Sequence, residues 1–271
     1  MRKVERIPTQ SITGNRKAKD IARVSIRMPG RTAITWDPPS GIVLAASEKR
    51  EANSRYCSSR LVEETAALIR AEGGIATAIT ADLGREDDVR EMVKTAVSTF
   101  GSVDCLVNNA GDGGPTRPVQ DYPMEEWLYT INSCLTSSYL CTRFAVPAMI
   151  DAGRGAIVNI ASMAGRRGLA YRIGYCSAKA GQIGMTVGLA MELGRHNITV
   201  NAIAPGYIAT EMNSALLENK EFTDWVSKRT PVGRWGQPGD LGGAAVFLAS
   251  DAAAYVNGVL LPVDGGFTAS M

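Results

Sequence analysis

From about residue 60 onward, short β-branched runs alternate with stretches whose apolar residues recur every three to four positions. Residues 61–72 read as an amphipathic helix, and Gly73-Gly74 separates it from a strand over 75–80. The pattern predicts further strands over 103–107, 156–161, 198–203 and 259–263. Helical periodicity covers 85–100, 124–150, 174–193, 211–228 and 238–250. Strands separated by helices of this length require parallel crossovers, so the expected fold class is α/β, a doubly wound, Rossmann-like parallel sheet. No internal repeat or low-complexity linker divides the body, which predicts one domain over 31–271 behind a basic, irregular extension over 1–30.

Charge sharpens this division. The chain of 271 residues carries a net +2, but residues 1–30 hold eight basic side chains against Glu5 and Asp20. The body is therefore mildly acidic and lacks the basic footprint of a nucleic-acid binder. A salt-sensitive anionic-surface role for the basic extension is a rival reading. No apolar run approaches the roughly 18 residues that span a bilayer. The 5 cysteines form no CxxC pair and are odd in number, which points to reduced thiols and a cytoplasmic setting. A single histidine, His196, excludes a histidine-rich metal site, and no metal is expected. A Ser-His-Asp triad would have to rest on that residue alone.

Several predicted strands end in small or polar residues: Asp82, Asn108-Asn109-Ala110-Gly111, Ser162 and Pro205-Gly206. Open α/β sheets bind ligands beyond the carboxyl ends of their strands, so these positions are expected to share one crevice. Tyr175 and Lys179 stand four apart at the start of a helical pattern, on one helix face. An ammonium beside a phenol favours the phenolate, which would make the tyrosine a usable acid or base. A surface tyrosine beside a surface lysine is the plainer alternative. Ser162, thirteen residues earlier, adds a hydroxyl that can donate to a developing alkoxide.

Taken together, Asn108-Asn109-Ala110-Gly111, Asn132, Ser162, Tyr175-x-x-x-Lys179 and Pro205-Gly206 resemble the short-chain dehydrogenase/reductase family, in order and spacing over 56–271. The resemblance implies an NAD(P)-dependent oxidoreductase that interconverts a secondary alcohol and a ketone. It makes Tyr175 the general acid/base. Lys179 depresses the tyrosine pKa and holds the nicotinamide ribose, Ser162 positions the carbonyl, and Asn132 supports a water relay. It assigns Asp82 and Leu83 to the adenine. Asn109, Ala110, Gly111, Pro205, Gly206, Ile208 and Thr210 complete the cofactor site, Thr210 at the nicotinamide end. It also implies a homodimer or homotetramer built through the helices carrying Asn132 and Tyr175.

The amino-terminal part departs from the family. Its dinucleotide loop joins first strand to first helix with glycines that let the backbone approach the pyrophosphate. Ile12-Thr13-Gly14 opens well but lies too far upstream and continues with Ala18 and Asp20. The better counterpart follows 30–34, read as the first strand, where only Ser40-Gly41-Ile42 survives. Asp37 stands where it would repel the pyrophosphate, and Val43 fills space left for close helix packing. The charged stretch 44–55 lacks the apolar second strand expected before Tyr56. Either the half-motif has diverged or the segment reflects an altered reading frame. Arg60, with Arg55 and Ser58 nearby, could receive a 2′-phosphate, which favours NADP(H) over NAD(H).

Within the family, the Trp225 to Trp235 stretch is similar to gluconate 5-dehydrogenases, which act on a sugar acid with NADP(H). The related 3-oxoacyl-carrier-protein reductases offer a thioester substrate as the alternative. The segment before Pro231 is expected to be a lid, with Trp225 and Trp235 as packing anchors. Residues 112–116 and 164–174 should line the pocket, where Arg166, Arg167 and Arg172 could bind a carboxylate or phosphate. The non-enzymatic alternative is a protein that keeps the fold but has impaired dinucleotide binding.

Overall fold

The computed structural model describes residues 59–270 and, upstream, only the backbone of strands at 24–26, 34–36 and 42–46. In chain order the elements begin with β1 (Val24–Ile26), β2 (Ile34–Trp36), β3 (Ile42–Ala46), α1 (Ser59–Ala71), β4 (Ala76–Thr80) and α2 (Glu86–Phe100). There follow β5 (Cys105–Asn108), α3 (Met124–Ile131), α4 (Ser137–Ala152), β6 (Gly155–Ile160), α5 (Ala164–Arg167) and α6 (Ile173–Leu193). The last third holds β7 (Ile198–Pro205), α7 (Ser214–Glu218), α8 (Lys220–Arg229), α9 (Pro238–Ala249) and β8 (Leu260–Val263).

Strands β5, β6, β7 and β8 form a parallel sheet in that order, and β3 pairs in parallel with β4 across the α1 crossover. Successive side chains of a strand point to opposite faces. Ile157 accordingly joins Met149 of α4 with Ala190 and Leu193 of α6 on one face. Its neighbour Val158 joins Ile203 and Leu248 of α9 on the other. Helices thus cover both faces, which is the doubly wound arrangement. A third cluster ties β4 and α2 to this body, with Leu83, Val89 and Met92 against Leu140 and Cys141 of α4 and with Leu106 of β5 packed alongside.

Three expectations are corrected. The apolar run Ile42-Val43-Leu44-Ala45-Ala46 is a strand, β3, with Ile42 opposite Ala76. The second strand is therefore present, upstream of the charged stretch. Ile42 opens it at the amino end, away from the edge where parallel sheets bind ligands, so it is not part of a phosphate loop. The run beginning at 30 contributes β2, whose partner is β1 in antiparallel register, Ile34 opposite Ile26. Hence β2 is not a strand of the parallel sheet, and β1 lies inside the segment expected to be an irregular extension. Only five residues separate Trp36 from Ile42, fewer than a parallel crossover of a dozen or more needs. Finally, the periodicity over 124–150 is broken by a π-helical turn at Asn132–Thr136.

Candidate active site

The site is built where α5 packs on α6. A Cβ added at Gly165 would lie 2.6 Å from the Lys179 carbonyl carbon and 2.8 Å from Ala180 N, so only glycine permits this approach. Ser162 follows β6, and its Oγ accepts a hydrogen bond from Ala164 N at 3.1 Å, turning the chain into α5. The close packing brings Ser162 close enough to Tyr175, near the start of α6, for its hydroxyl to act on the phenol.

Burial pushes the Tyr175 phenol up to about 12, against the lowering influence of Ser162 and, more weakly, the Arg172 guanidinium. Lys179 is not among the groups that lower it, contrary to the expectation from spacing. The reason is where the ammonium points. Nζ donates to Ile160 O at 2.7 Å and to Gln182 Oε1 at 2.9 Å, and lies 5.8 Å from the Tyr175 ring centre. Only 4% of Lys179 is exposed, and that burial holds its pKa below the ordinary value.

The lysine is the end of a buried polar network that sequence reasoning missed. Gln182 Nε2 donates to Ser138 Oγ at 2.7 Å, and Thr186 Oγ1 donates to Gln182 O at 2.8 Å. Asn159 Nδ2 reaches Thr186 Oγ1 at 2.9 Å, and Asn108 Nδ2 donates to Asn159 Oδ1 at 2.8 Å. The available signal was an asparagine inside the apolar run of β6 and two polar residues one turn apart on α6. Buried polar groups persist when every member is satisfied, and such networks hold their members in one geometry.

Asn132 is not brought into this cluster. It is exposed, and its Oδ1 accepts from Thr136 Oγ1 at 3.0 Å. Two residues of helix rotate a side chain by about 200°, and Cys134 faces the site instead. A Cβ added at Gly111 would sit 3.0 Å from Cys134 Sγ and 3.7 Å from Lys179 Nζ. Cys134 Sγ also donates to Asp112 O at 3.2 Å. His196 lies beyond the far end of α6, a 21-residue helix about 30 Å long, so it takes no part.

The other expected cofactor residues gather along the carboxyl ends of β4 to β7. Asp82 follows β4 and accepts from Gly84 N at 2.9 Å, while the Leu83 side chain is buried in the core. Asn109 is exposed beyond β5, with Ala110 and Gly111 after it. Pro205 ends β7, and Gly206 passes Asp264 so closely that a Cβ would fall 2.7 Å from the aspartate Cβ. Ile208 is buried and Thr210 exposed on the segment leading to α7. A cavity of about 200 Å³ opens there, lined by Tyr207, Ile208, Thr230, Gly236 and Asp264 among others.

Gly111 leaves a cradle beside the buried Lys179, room that a dinucleotide could occupy. The pyrophosphate end is different. It belongs where the strand order reverses, at the edge of β5 away from β6, and no described strand pairs with that edge. Val107 of β5 is accordingly 47% exposed. Ser40 and Gly41 lie outside the described residues, as do Arg55 and Ser58, and the Arg60 side chain is likewise not described.

The three pocket arginines separate. Arg166 and Arg167 are exposed, and Arg167 Nη1 reaches Thr268 O at 3.2 Å. Arg172 turns into the site, donating from Nη1 to both Gly113 O and Gly114 O at 2.9 Å. Trp235 is buried edge-on to Tyr207 with ring centres 5.5 Å apart, and Trp225 stands 6.2 Å from the same ring, so both pack as anchors on Tyr207. Among the described residues no group of three metal-ligating side chains occurs, and no helix is long and apolar enough to cross a membrane.

A doubly wound sheet with a hydroxyl, a phenol and a buried ammonium at its carboxyl edge defines a dehydrogenase-type oxidoreductase. The family model described as Enoyl-(Acyl carrier protein) reductase matches residues 46–268, beginning on the last residue of β3. The chain belongs to the short-chain dehydrogenase/reductase family. It is 36% identical over 248 residues to the 2-dehydro-3-deoxy-D-gluconate 5-dehydrogenase of Bacillus subtilis strain 168, covering 89% of this chain and 95% of that one. It is 38% identical over 228 residues to a 3-oxoacyl-[acyl-carrier-protein] reductase of Synechocystis, covering 84% and 90%. Among solved structures, a gluconate 5-dehydrogenase from Burkholderia cenocepacia J2315 in complex with NADP and tartrate superposes with a TM-score of 0.76 at 32% identity, covering 84% of this chain and 86% of that one.

Proposed function

We propose that the chain interconverts the secondary alcohol and ketone of a sugar acid, of the gluconate/5-ketogluconate kind, with NADP(H). The observation that carries the reading is the buried ammonium of Lys179 one turn after Tyr175 on α6, with Ser162 close enough to act on the same phenol. In the reducing direction the Ser162 hydroxyl donates to the substrate carbonyl and Tyr175 Oη transfers its proton to the same oxygen as charge develops there. A phenol pushed up to about 12 is protonated at neutral pH, the form that donates. Lys179 would hold the nicotinamide ribose, Gly111 and Gly206 would admit the ring, and Asp82 and Leu83 would meet the adenine. The bound nicotinamide supplies or accepts the hydride.

The sugar-acid class rests on the gluconate-type relatives, and NADP(H) on the NADP-bound relative. A 3-oxoacyl thioester is the second substrate reading, favoured by the reductase of Synechocystis. Assembly as a homodimer or homotetramer through α4 and α6 accords with Tyr139, Val187 and Met191, apolar side chains exposed on those helices.

Tyr175→Phe tests the mechanism. The variant should bind NADPH as the native chain does, followed by nicotinamide fluorescence, and lose turnover of 5-ketogluconate by several orders of magnitude. Retained turnover would refute the role of Tyr175. Failure of the native chain to bind NADPH or NADH would favour the non-enzymatic reading, which the edge of β5 supports in that no described strand pairs with it.

A further inference from the structure

We propose that Arg172 is the anion-recognising residue of the substrate pocket, selecting a carboxylate-bearing hydroxy or keto acid over a neutral polyol. The inference rests on the catalytic reading of Ser162 and Tyr175 and names how that site chooses its substrate.

Arg172 is half-buried and stands three residues before Tyr175, at the amino end of α6. A single nitrogen, Nη1, makes its two hydrogen bonds, to the carbonyls of Gly113 and Gly114. These neutral acceptors hold the guanidinium plane but leave its charge uncompensated, since no carboxylate lies within ion-pair distance of Arg172 among the described residues. Nε and Nη2 remain as donors in fork geometry suited to a carboxylate. A cation at a helix amino terminus also opposes the helix dipole, so its position is locally unfavourable without an anion to share the field.

The surroundings fix the group and aim it. Tyr171, the preceding residue, is held in the left-handed region at φ 64, with Arg117 N donating to its carbonyl at 2.9 Å. Such a conformation in a non-glycine residue is strained and persists only where the surroundings over-determine it. The acceptor loop is equally constrained: a Cβ on Gly114 would fall 2.6 Å from Thr130 Oγ1 and 2.9 Å from Tyr122 Oη. Position 113 brings Arg172 Nη1 and Met212 Sδ together, at 3.0 and 4.0 Å from an added Cβ, so the guanidinium lies between the 112–114 loop and the lid. It is close enough to Tyr175 and Tyr207 for its charge to act on both phenols. A carboxylate there would leave the far end of a short substrate against Ser162 and Tyr175. Preorganised donors of this kind discriminate strongly because the half-buried cation stays unpaired when a neutral ligand binds.

The test compares D-gluconate with D-glucitol, its neutral counterpart, on the full chain, on Arg172→Met and on Arg172→Lys. Calorimetric binding in saturating NADP⁺ gives affinities without turnover, and kcat/KM gives the discrimination ratio. Arg172→Met should weaken gluconate binding about ten- to hundredfold, the range for loss of hydrogen bonds to a charged group. Glucitol binding should change little, so the gluconate-to-glucitol ratio collapses, and Arg172→Lys should restore part of it. Equal losses for both ligands, an unchanged ratio, or no preference for gluconate in the native chain would each overturn the proposal. Should Arg172→Met fail to fold, Arg172→Lys and the native preference still decide it. Turnover by Tyr175→Phe would refute the catalytic reading while leaving these ratios in place.

Discussion

Gln182 should hold Lys179 through a bond whose loss can be measured. The buried ammonium has two protein acceptors, Ile160 O at 2.7 Å and Gln182 Oε1 at 2.9 Å, and Gln182 is 0% exposed. Truncation to alanine takes one acceptor from a desolvated cation, a bond type worth about 1.5–3 kcal/mol. The space left by the amide adds about 1 kcal/mol, because a packed interior relaxes only partly. Ser138 loses little, since its hydroxyl still donates to Cys134 O at 3.0 Å. Gln182→Ala should therefore cost about 3 kcal/mol, read from urea unfolding midpoints, and leave a domain that still folds. The decisive quantity is the double-mutant cycle with Lys179→Met. When the ammonium is absent its acceptor is no longer needed, so about 1.5–3 kcal/mol of the cost should vanish. A coupling below about 0.5 kcal/mol would refute the reasoning and mean that Gln182 contributes only packing. Gln182→Glu supplies the opposite sign: a carboxylate beside Lys179 should raise the lysine pKa that burial now lowers.

Two further outcomes follow from the site geometry. Difference absorbance between the native chain and Tyr175→Phe, without cofactor, should show the phenol ionising near 12. The folded chain then keeps a proton that the unfolded chain releases from about pH 10, so this group's contribution, about 3 kcal/mol, is intact below pH 10 and lost as pH rises toward 12. Ionisation below 10 would mean that Lys179 acts on the phenol after all. Gly165→Ala should cost about 1–3 kcal/mol and abolish turnover, because the new Cβ meets the Lys179 and Ala180 backbone at 2.6–2.8 Å and must push α5 from α6. A normal unfolding midpoint with normal turnover would show that the approach of the two helices is looser.

The alternation of apolar runs and helical periodicity was sufficient to name the parallel α/β sheet, because both periods are properties of the local chain. The strands end near the expected places, with Ser162 after β6 and both Tyr175 and Lys179 on α6. The amino-terminal part misled because a five-residue apolar run reads equally as a strand or as the flank of a loop, and only its pairing with β4 decides.

What spacing could not supply was orientation. Asn132 and Cys134 are two residues apart, yet a helix turns one outward and the other against Gly111, and the π-helical turn between α3 and α4 shifts the phase that periodicity would predict. Lys179 and Tyr175 share a helix face, but the ammonium is drawn to Ile160 O and Gln182 by the need to satisfy a buried charge. Arg172 likewise parts from Arg166 and Arg167 because its Nη1 finds the Gly113 and Gly114 carbonyls, which come from a distant loop. The sequence alone determined which groups are present and which helices and strands carry them. Only the tertiary structure decided which ones meet, because desolvation acts on a side chain's surroundings and those come from distant parts of the chain.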